Sequence, residues 1–286
     1  MNRKLGTLAA ALPRDGKARI IPGAYDALSA KLIEEENFGL IYVGSYAAAA
    51  ASYALPDVGV LTLDDMIRVS GAVVQSVSSP VVADAEGGFF GAPNIWRTVQ
   101  AFERAGVAAI HIEDHAGGKH TNLPQRLISL DAMTGKLAAS LDARQNPDFT
   151  IIARTDAIWA MGDYEEARRR LLAFSRVGVE HFFPTGATPE MLRQMRREVP
   201  GCYYAIAHDE VTSPAQWDGA ADVVIDYGFC LRVVSRNLKA ALADMRSGAD
   251  SRRLLGHLED VAAFEARLGY KNFTDRALRY AKNGEY

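Results

Sequence analysis

Pro80-Val81-Val82-Ala83-Asp84-Ala85-Glu86-Gly87-Gly88 and, about one helix-length further on, Ala108-Ala109-Ile110-His111-Ile112-Glu113-Asp114 share one construction: a short apolar run that ends in acids. Runs that are apolar at nearly every position suit strands buried on both faces, as in a parallel sheet covered by helices. The same run recurs at 18–22, 40–43, 80–83, 108–112, 150–153, 181–183, 203–207 and 222–225. Helical periodicity fills the intervals at 26–36, 63–76, 92–105, 130–143, 164–177, 189–198 and 214–219. Helix starts carry fitting chemistry, with Thr62 ahead of Asp64 and Asp65, Pro93 near a first turn, and Thr188-Pro189-Glu190. Eight β-then-α units either close as a (β/α)8 barrel or open into a doubly wound sheet. No Gly-x-Gly-x-x-Gly follows the first run and no Gly-x-x-x-x-Gly-Lys-Ser/Thr occurs, so the nucleotide-binding open sheets lose their signature. The expectation is an α/β fold, a TIM-type barrel forming a single domain over 1–286. Residues 229–286 read as helices only, at 231–246, 251–268 and a short one after Thr274, and form a C-terminal extension that caps the barrel or packs on another subunit.

Composition removes several classes. The 286 residues carry a formal net charge of −3, with 49% hydrophobic and 23% charged residues, which is ordinary for a globular chain and excludes disorder, collagen and fibre. So small a charge gives no general field for nucleic acid or an anionic membrane. The apolar stretch 46–55 is too short for a bilayer, which needs about 20 residues. Residues 1–14 lack the apolar core of a secretory signal, so the expected location is the cytoplasm. Cys202 and Cys230 have no paired spacing, which argues against a disulfide framework or a cysteine zinc site.

In such barrels the chemistry sits where strands end. Those positions hold Tyr25 and Asp26, Gly44 and Ser45, Asp84 and Glu86, Glu113 and Asp114, Arg154 and Asp156, Thr185, His208 and Asp209, and Asp226 and Tyr227. Asp84 and Glu86, two apart, and Glu113 at the end of the next strand would repel one another without a cation. A hard dication, best magnesium, resolves that; capping and surface ion pairing is the other explanation. Arg154 ends a buried run and needs a partner, either a carboxylate or phosphonate ligand or a fixed salt bridge to Asp156. His111 reads as interior, and Trp96, Trp159 and Trp217 as packing. The glycine-rich stretch 117–124 reads as a mobile lid that carries Lys119 into the site.

Ile21-Pro22-Gly23-Ala24-Tyr25-Asp26-Ala27-Leu28-Ser29-Ala30, Val43-Gly44-Ser45, Ala83-Asp84-Ala85-Glu86-Gly87-Gly88-Phe89, His111-Ile112-Glu113-Asp114 and Ile152-Ala153-Arg154-Thr155-Asp156-Ala157, in that order, resemble the isocitrate lyase/phosphoenolpyruvate mutase superfamily. The resemblance implies a barrel whose last helix is exchanged between subunits, a dimer-of-dimers homo-oligomer, and magnesium-dependent chemistry on 2-oxo or 2-hydroxy carboxylates through an enolate. By it, Asp84 binds the metal and Glu86 and Glu113 hold its waters. Asp57 is a substrate-side acid on the loop after the second strand, and Gly44 and Ser45 hold the substrate. Arg154 clamps the carboxylate or stabilises the departing group. Tyr25, Asn122 and His208 complete the expected substrate contacts, and Lys119 and Thr121 are the expected catalytic residues of the loop.

Departures from the lyase branch narrow the reaction. That branch carries Lys-Lys/Arg-Cys-Gly-His on the loop, whereas this chain has Lys119-His120-Thr121-Asn122-Leu123. A threonine hydroxyl is far too weak an acid to replace the thiol. Glu86 stands where an aspartate is usual, and Thr185 where lyases often carry glutamate. The expectation is therefore a carboxy-lyase acting on a small 2-oxo dicarboxylate, concretely oxaloacetate decarboxylation, with water, His120 or His208 as proton source. The alternatives are carbon–phosphorus chemistry, as in a phosphonopyruvate hydrolase or phosphoenolpyruvate mutase, favoured by Lys119, Thr121 and Asn122, and an inactive metabolite-binding barrel.

Overall fold

The computed structural model describes residues 8–12, 15–207 and 213–281. Two compact units divide the chain, residues 1–231 and 232–286. In the first, β1 (Arg19–Pro22), β2 (Ile41–Val43), β3 (Val81–Asp84), β4 (Ala109–Glu113), β5 (Thr150–Thr155), β6 (His181–Pro184), β7 (Cys202–Ile206) and β8 (Val223–Asp226) form one sheet. Every pairing is parallel, in the order β1-β8-β7-β6-β5-β4-β3-β2. The remaining gap between β1 and β2 is spanned by a parallel bridge from Gly23 to Tyr42, with Ala24 N donating to Tyr42 O at 2.8 Å. The fold is a nearly closed (β/α)8 barrel with C-terminal helices. Gly23 is required at the seam, because a Cβ there would lie 2.6 Å from the Tyr227 carbonyl oxygen.

Strand periodicity explains where the polar groups go. Val82, Ala109, Ile152, Phe183, Tyr204 and Ile225 pack with one another inside the barrel, while Ala83, Ile110, Ile112, Ala153 and Phe182 join the larger core shared with the helices. Because side chains alternate along a strand, Asp84, His111, Glu113 and Arg154 share the inward parity of Val82, Ala109 and Ile152. Four polar groups thus stand directly above an apolar plug, at the end where the strands finish.

Helices Leu63–Ser76, Leu130–Ala143 and Pro189–Glu198 lie where periodicity predicts them. Thr62 caps the first in a reciprocal box with Asp65, and Thr188 caps the third. Other elements differ from expectation. The alanine-rich stretch read only as apolar is a helix, Ser45–Tyr53, because alanine favours helix strongly even without an amphipathic signal. The segment 92–105 opens with a 3-10 turn, Ala92–Asn94, before Trp96–Ala105, and 214–219 is only the 3-10 turn Pro214–Trp217. The expected helix 251–268 is two, Ser251–Leu255 and Val261–Leu268, since Asp260 caps a fresh start. The last helix begins at Tyr270 rather than after Thr274. The helices from Phe229 to Tyr280 bury no residue, and Leu238, Leu242, Phe264 and Leu268 stay exposed. Among the described residues, no helix is long and apolar enough to cross a membrane.

Candidate active site

Asp84, the last residue of β3, is almost fully buried and is built in by its neighbours. Its carboxylate accepts from Glu86 N at 2.8 Å and from Ser45 Oγ at 3.0 Å. Ser45 is the first residue of its helix, so the positive end of that helix faces the carboxylate. Beneath it, His111 Nδ1 lies 3.6 Å from Asp84, and His111 Nε2 is 2.9 Å from the Tyr42 hydroxyl. Burial alone would raise the Asp84 carboxyl, but the charges of His111, Lys119 and Arg154 outweigh it and hold the group well below the usual carboxylate range.

Glu86 reaches the same place by a different route from the one expected. β3 ends at Asp84, and Glu86 sits in the following turn at φ +49°, a left-handed conformation that few non-glycine residues adopt. That strain, typical of functional sites, turns its carboxylate toward Asp84 and Glu113. Ligand oxygens of the three acids all lie within 4.8 Å of one another, and all three residues are buried. Burial, with the charge of Asp84 and despite Lys119, raises the Glu86 carboxyl; burial likewise raises Glu113 against the pull of Arg154 and Lys119.

Positive left-handed φ values at Gly117, Gly118 and His120 fold the loop after β4 so that Lys119 and His120 turn inward. Lys119 Nζ is 3.2 Å from both Glu86 and Glu113 and 3.6 Å from Asp57. Burial works against its charge, yet Glu113, Asp84 and Glu86 hold the ammonium far above the ordinary lysine range. Asp57 follows the helix Ser45–Tyr53 rather than the second strand directly, and accepts from Ser45 Oγ at 3.0 Å. Its other oxygen is 3.3 Å from His120 Nε2.

On the far side Arg154 is fully enclosed. Its Nε and Nη2 donate to the two oxygens of Asp156 at 2.8 and 3.1 Å, and Nη1 lies 3.0 Å from Glu113. The salt bridge to Asp156 that the sequence allowed is formed. Asp156 is locked in turn, by His115 Nδ1 at 3.2 Å and by its own N–H donating to Asp114 at 3.0 Å. Arg170 closes the chain of contacts, 3.1 Å from Asp114 and donating to the Ile128 carbonyl at 3.0 Å.

Ser45, Asp57, Asp84, Lys119, His120 and Arg154, with Trp159 and Thr185, line a cavity of about 100 Å3 at the barrel mouth. Two fixed cations, Lys119 and Arg154, therefore face five carboxylates, those of Asp57, Asp84, Glu86, Glu113 and Asp156. Glu86 Oε1 is buried without a hydrogen-bond partner. An all-oxygen donor set, a surplus of negative charge and an orphaned carboxylate oxygen fit a hard divalent cation.

A family profile described as phosphoenolpyruvate phosphomutase matches residues 8–246. The chain belongs to this family. It is 38% identical over 197 residues to 2,3-dimethylmalate lyase of Eubacterium barkeri, covering 67% of this chain and 66% of that protein, just under two thirds of the relative's length. It is 30% identical over 268 residues to 2-methylisocitrate lyase of Shewanella oneidensis, covering 90% of each. To phosphonopyruvate hydrolase of Variovorax sp. it is 37% identical over 161 residues, 55% of each chain. Among solved structures, the phosphoenolpyruvate phosphomutase of Streptomyces platensis superposes with a TM-score of 0.87 at 27% identity, covering 96% of this chain and 98% of that one. A phosphonopyruvate hydrolase in complex with oxalate and Mg2+ gives 0.83 at 28% identity, covering 96% and 97%. The chain is thus an enzyme of the phosphoenolpyruvate mutase/isocitrate lyase superfamily.

Within this superfamily member, most residues singled out from the sequence converge: Gly44, Ser45, Asp57, Asp84, Lys119 and Arg154 line the cavity, and Glu86 and Glu113 complete the acid cluster. Thr121 and Asn122 do not join them. Both are exposed, and the Thr121 hydroxyl is spent on the Gly118 carbonyl at 2.6 Å, which closes the loop's own turn. Tyr25 is half-buried and outside the cavity lining, its backbone N–H bonded to Ser29 Oγ at 3.1 Å. His208 lies outside the described residues. Sequence reading missed the cavity roles of Tyr42, Tyr46 and Trp159, and the support that His115 and Arg170 give to Asp156 and Asp114. No local motif marks these residues; only the inward parity of Tyr42 in its strand could have signalled one of them.

Proposed function

We propose that this enzyme is a magnesium-dependent lyase acting on a small 2-oxo or 2-hydroxy dicarboxylate through an enolate, with oxaloacetate decarboxylation as its reaction. The observation that carries the reading is the buried Asp84, Glu86 and Glu113 cluster beside a small cavity into which the loop brings Lys119 and His120 but no thiol. Asp84, Glu86 and Glu113 would hold the magnesium, which when bound supplies positive charge against the anion growing on the 2-oxo oxygen. Ser45 and the backbone of the Gly44–Ser45 turn orient the substrate carboxylate, in keeping with the helix start at that point. Arg154, already paired to Asp156 and Glu113, presents a fixed cationic face that needs no reorganisation as charge shifts. Loss of carbon dioxide asks least of the groups present, because the enolate requires a single proton and no base is needed to begin.

Relatives named as lyases of 2,3-dimethylmalate and 2-methylisocitrate support carbon–carbon cleavage of dicarboxylates. Carbon–phosphorus chemistry draws support from the hydrolase relative and from Lys119 in the cavity lining, but Thr121 and Asn122, the other loop groups that favoured it, are exposed and do not line the cavity. The exposed apolar side chains of the helices from Phe229 to Tyr280 support a homo-oligomer in which a second copy covers them, a dimer of dimers by the superfamily resemblance. A cytoplasmic location belongs to the same proposal.

Paired assays test the reaction. Carbon dioxide release from oxaloacetate is expected with magnesium and to fall roughly 100-fold or more with excess chelator, while phosphonopyruvate yields no phosphate. Phosphate release without carbon dioxide release would overturn the assignment.

A further inference from the structure

We propose that His120, oriented by Asp57, delivers the proton to the carbon atom of the enolate. This rests on the enolate chemistry proposed above. Three observations select His120. It lines the cavity, with Nε2 3.3 Å from Asp57 Oδ2 on the side that also holds Lys119 and Ser45. Its ring centroid lies 5.0 Å from that of Trp159, which backs the imidazole and limits its rotation. Its side chain is 41% exposed, so it touches both the cavity and solvent, as a group that must recover a proton each turnover requires.

The neighbouring protic groups serve less well. Lys119 is enclosed by Asp57, Glu86 and Glu113, which hold its proton tightly. Tyr42 is buried below, where desolvation and the charge of Asp84 push its hydroxyl well above the ordinary range. Thr121 is turned away. Non-glycine residues seldom adopt the left-handed backbone of His120, and histidine tolerates it better than most, so the loop holds this ring inward at a local cost.

In oxaloacetate the bond from C3 to the departing carboxylate breaks, and its electron pair enters C2–C3 as carbon dioxide leaves. The Nδ1–H bond of protonated His120 then breaks as a C3–H bond forms from the enolate π pair, while Nε2–H stays on Asp57. The C2–O bond returns to a carbonyl, the imidazole is left neutral, and solvent restores its proton. Asp57 acts as a positioning residue by accepting from Nε2.

Exchange of the pyruvate methyl protons in D2O, followed by proton NMR with magnesium-loaded enzyme, reads this step without carbon–carbon cleavage. His120→Gln is expected to slow exchange roughly 100-fold, with the dissociation constant for oxalate, measured by calorimetry, within about threefold of wild type. Exchange in His120→Gln within threefold of wild type would overturn the proposal. So would loss of exchange together with loss of oxalate binding, which would mark a binding role, or loss in Tyr46→Phe but not in His120→Gln. Wild-type enzyme that exchanges nothing would overturn it whatever the oxaloacetate assay gives. Wild-type exchange that depends on His120, in an enzyme that does not decarboxylate oxaloacetate, would uphold this proposal and overturn the substrate assignment.

Discussion

Asp84→Asn is expected to abolish turnover while leaving the barrel folded. Asparagine keeps the shape of the side chain and one carbonyl oxygen to accept from Glu86 N or Ser45 Oγ, which now bond the carboxylate at 2.8 and 3.0 Å. It removes the carboxylate held most firmly ionised in the acid cluster, since Glu86 and Glu113 are both raised by burial. A cation meeting these three side chains draws most on the carboxylate whose ionised form the surroundings already favour. Loss of a directly coordinating charge should exceed the 10- to 100-fold penalties typical of outer-shell substitutions, so magnesium affinity and kcat/KM should each fall by roughly 1000-fold. Titration calorimetry and steady-state kinetics on the same preparation would check this. Stability should fall without unfolding the barrel, because the charge removed is one that the surrounding cations hold ionised in the folded protein.

Arg154→Met is expected to have the opposite balance, with a large cost in stability as well as activity. The guanidinium is fully enclosed and is the charged partner of both Asp156 and Glu113 at 2.8 and 3.0 Å. Removing one member of a buried ion pair leaves its partners charged and desolvated, which costs about 3–5 kcal/mol. Asp156 cannot move away to recover hydration, because Asp114 and His115, which follow β4 directly, hold it by its backbone N–H and its side chain. Urea unfolding should report that loss as a lower midpoint with an unchanged slope. Lysine at this position should recover little, since it cannot reproduce the paired Nε and Nη2 contacts to one carboxylate.

The barrel was legible because its signal is repetitive. Eight apolar runs, each followed by a charged periodic segment, leave few arrangements, and the polar residues at their ends mark one rim. Ser45, Asp84, Glu113 and Arg154 are first or last residues of regular elements or stand next to them, so locating the elements locates those side chains. Glu86 was placed correctly beside Asp84 for a partly mistaken reason, since a strained turn and not strand alternation brings it there. The loop resisted reading. Which of Lys119, His120, Thr121 and Asn122 face inward depends on three left-handed backbone positions, and of these only Gly117 and Gly118 advertise such freedom in sequence. Thr121 was expected to act on substrate, but a hydroxyl two or three residues past a glycine pair closes its own turn instead. The roles of His115 and Arg170 were illegible because their contacts join residues far apart in the chain, 41 from His115 to Asp156 and 56 from Asp114 to Arg170.

Binding of a hard dication by these acids decides the chemistry of the site. Crystals grown with manganese as the anomalous stand-in for magnesium, together with oxalate, test this directly. The predicted result is one strong anomalous peak among the carboxylates of Asp84, Glu86 and Glu113, with the Lys119 ammonium displaced from between them. A map in which Lys119 keeps its place and no peak lies near Asp84, from crystals saturated with the metal, would contradict it.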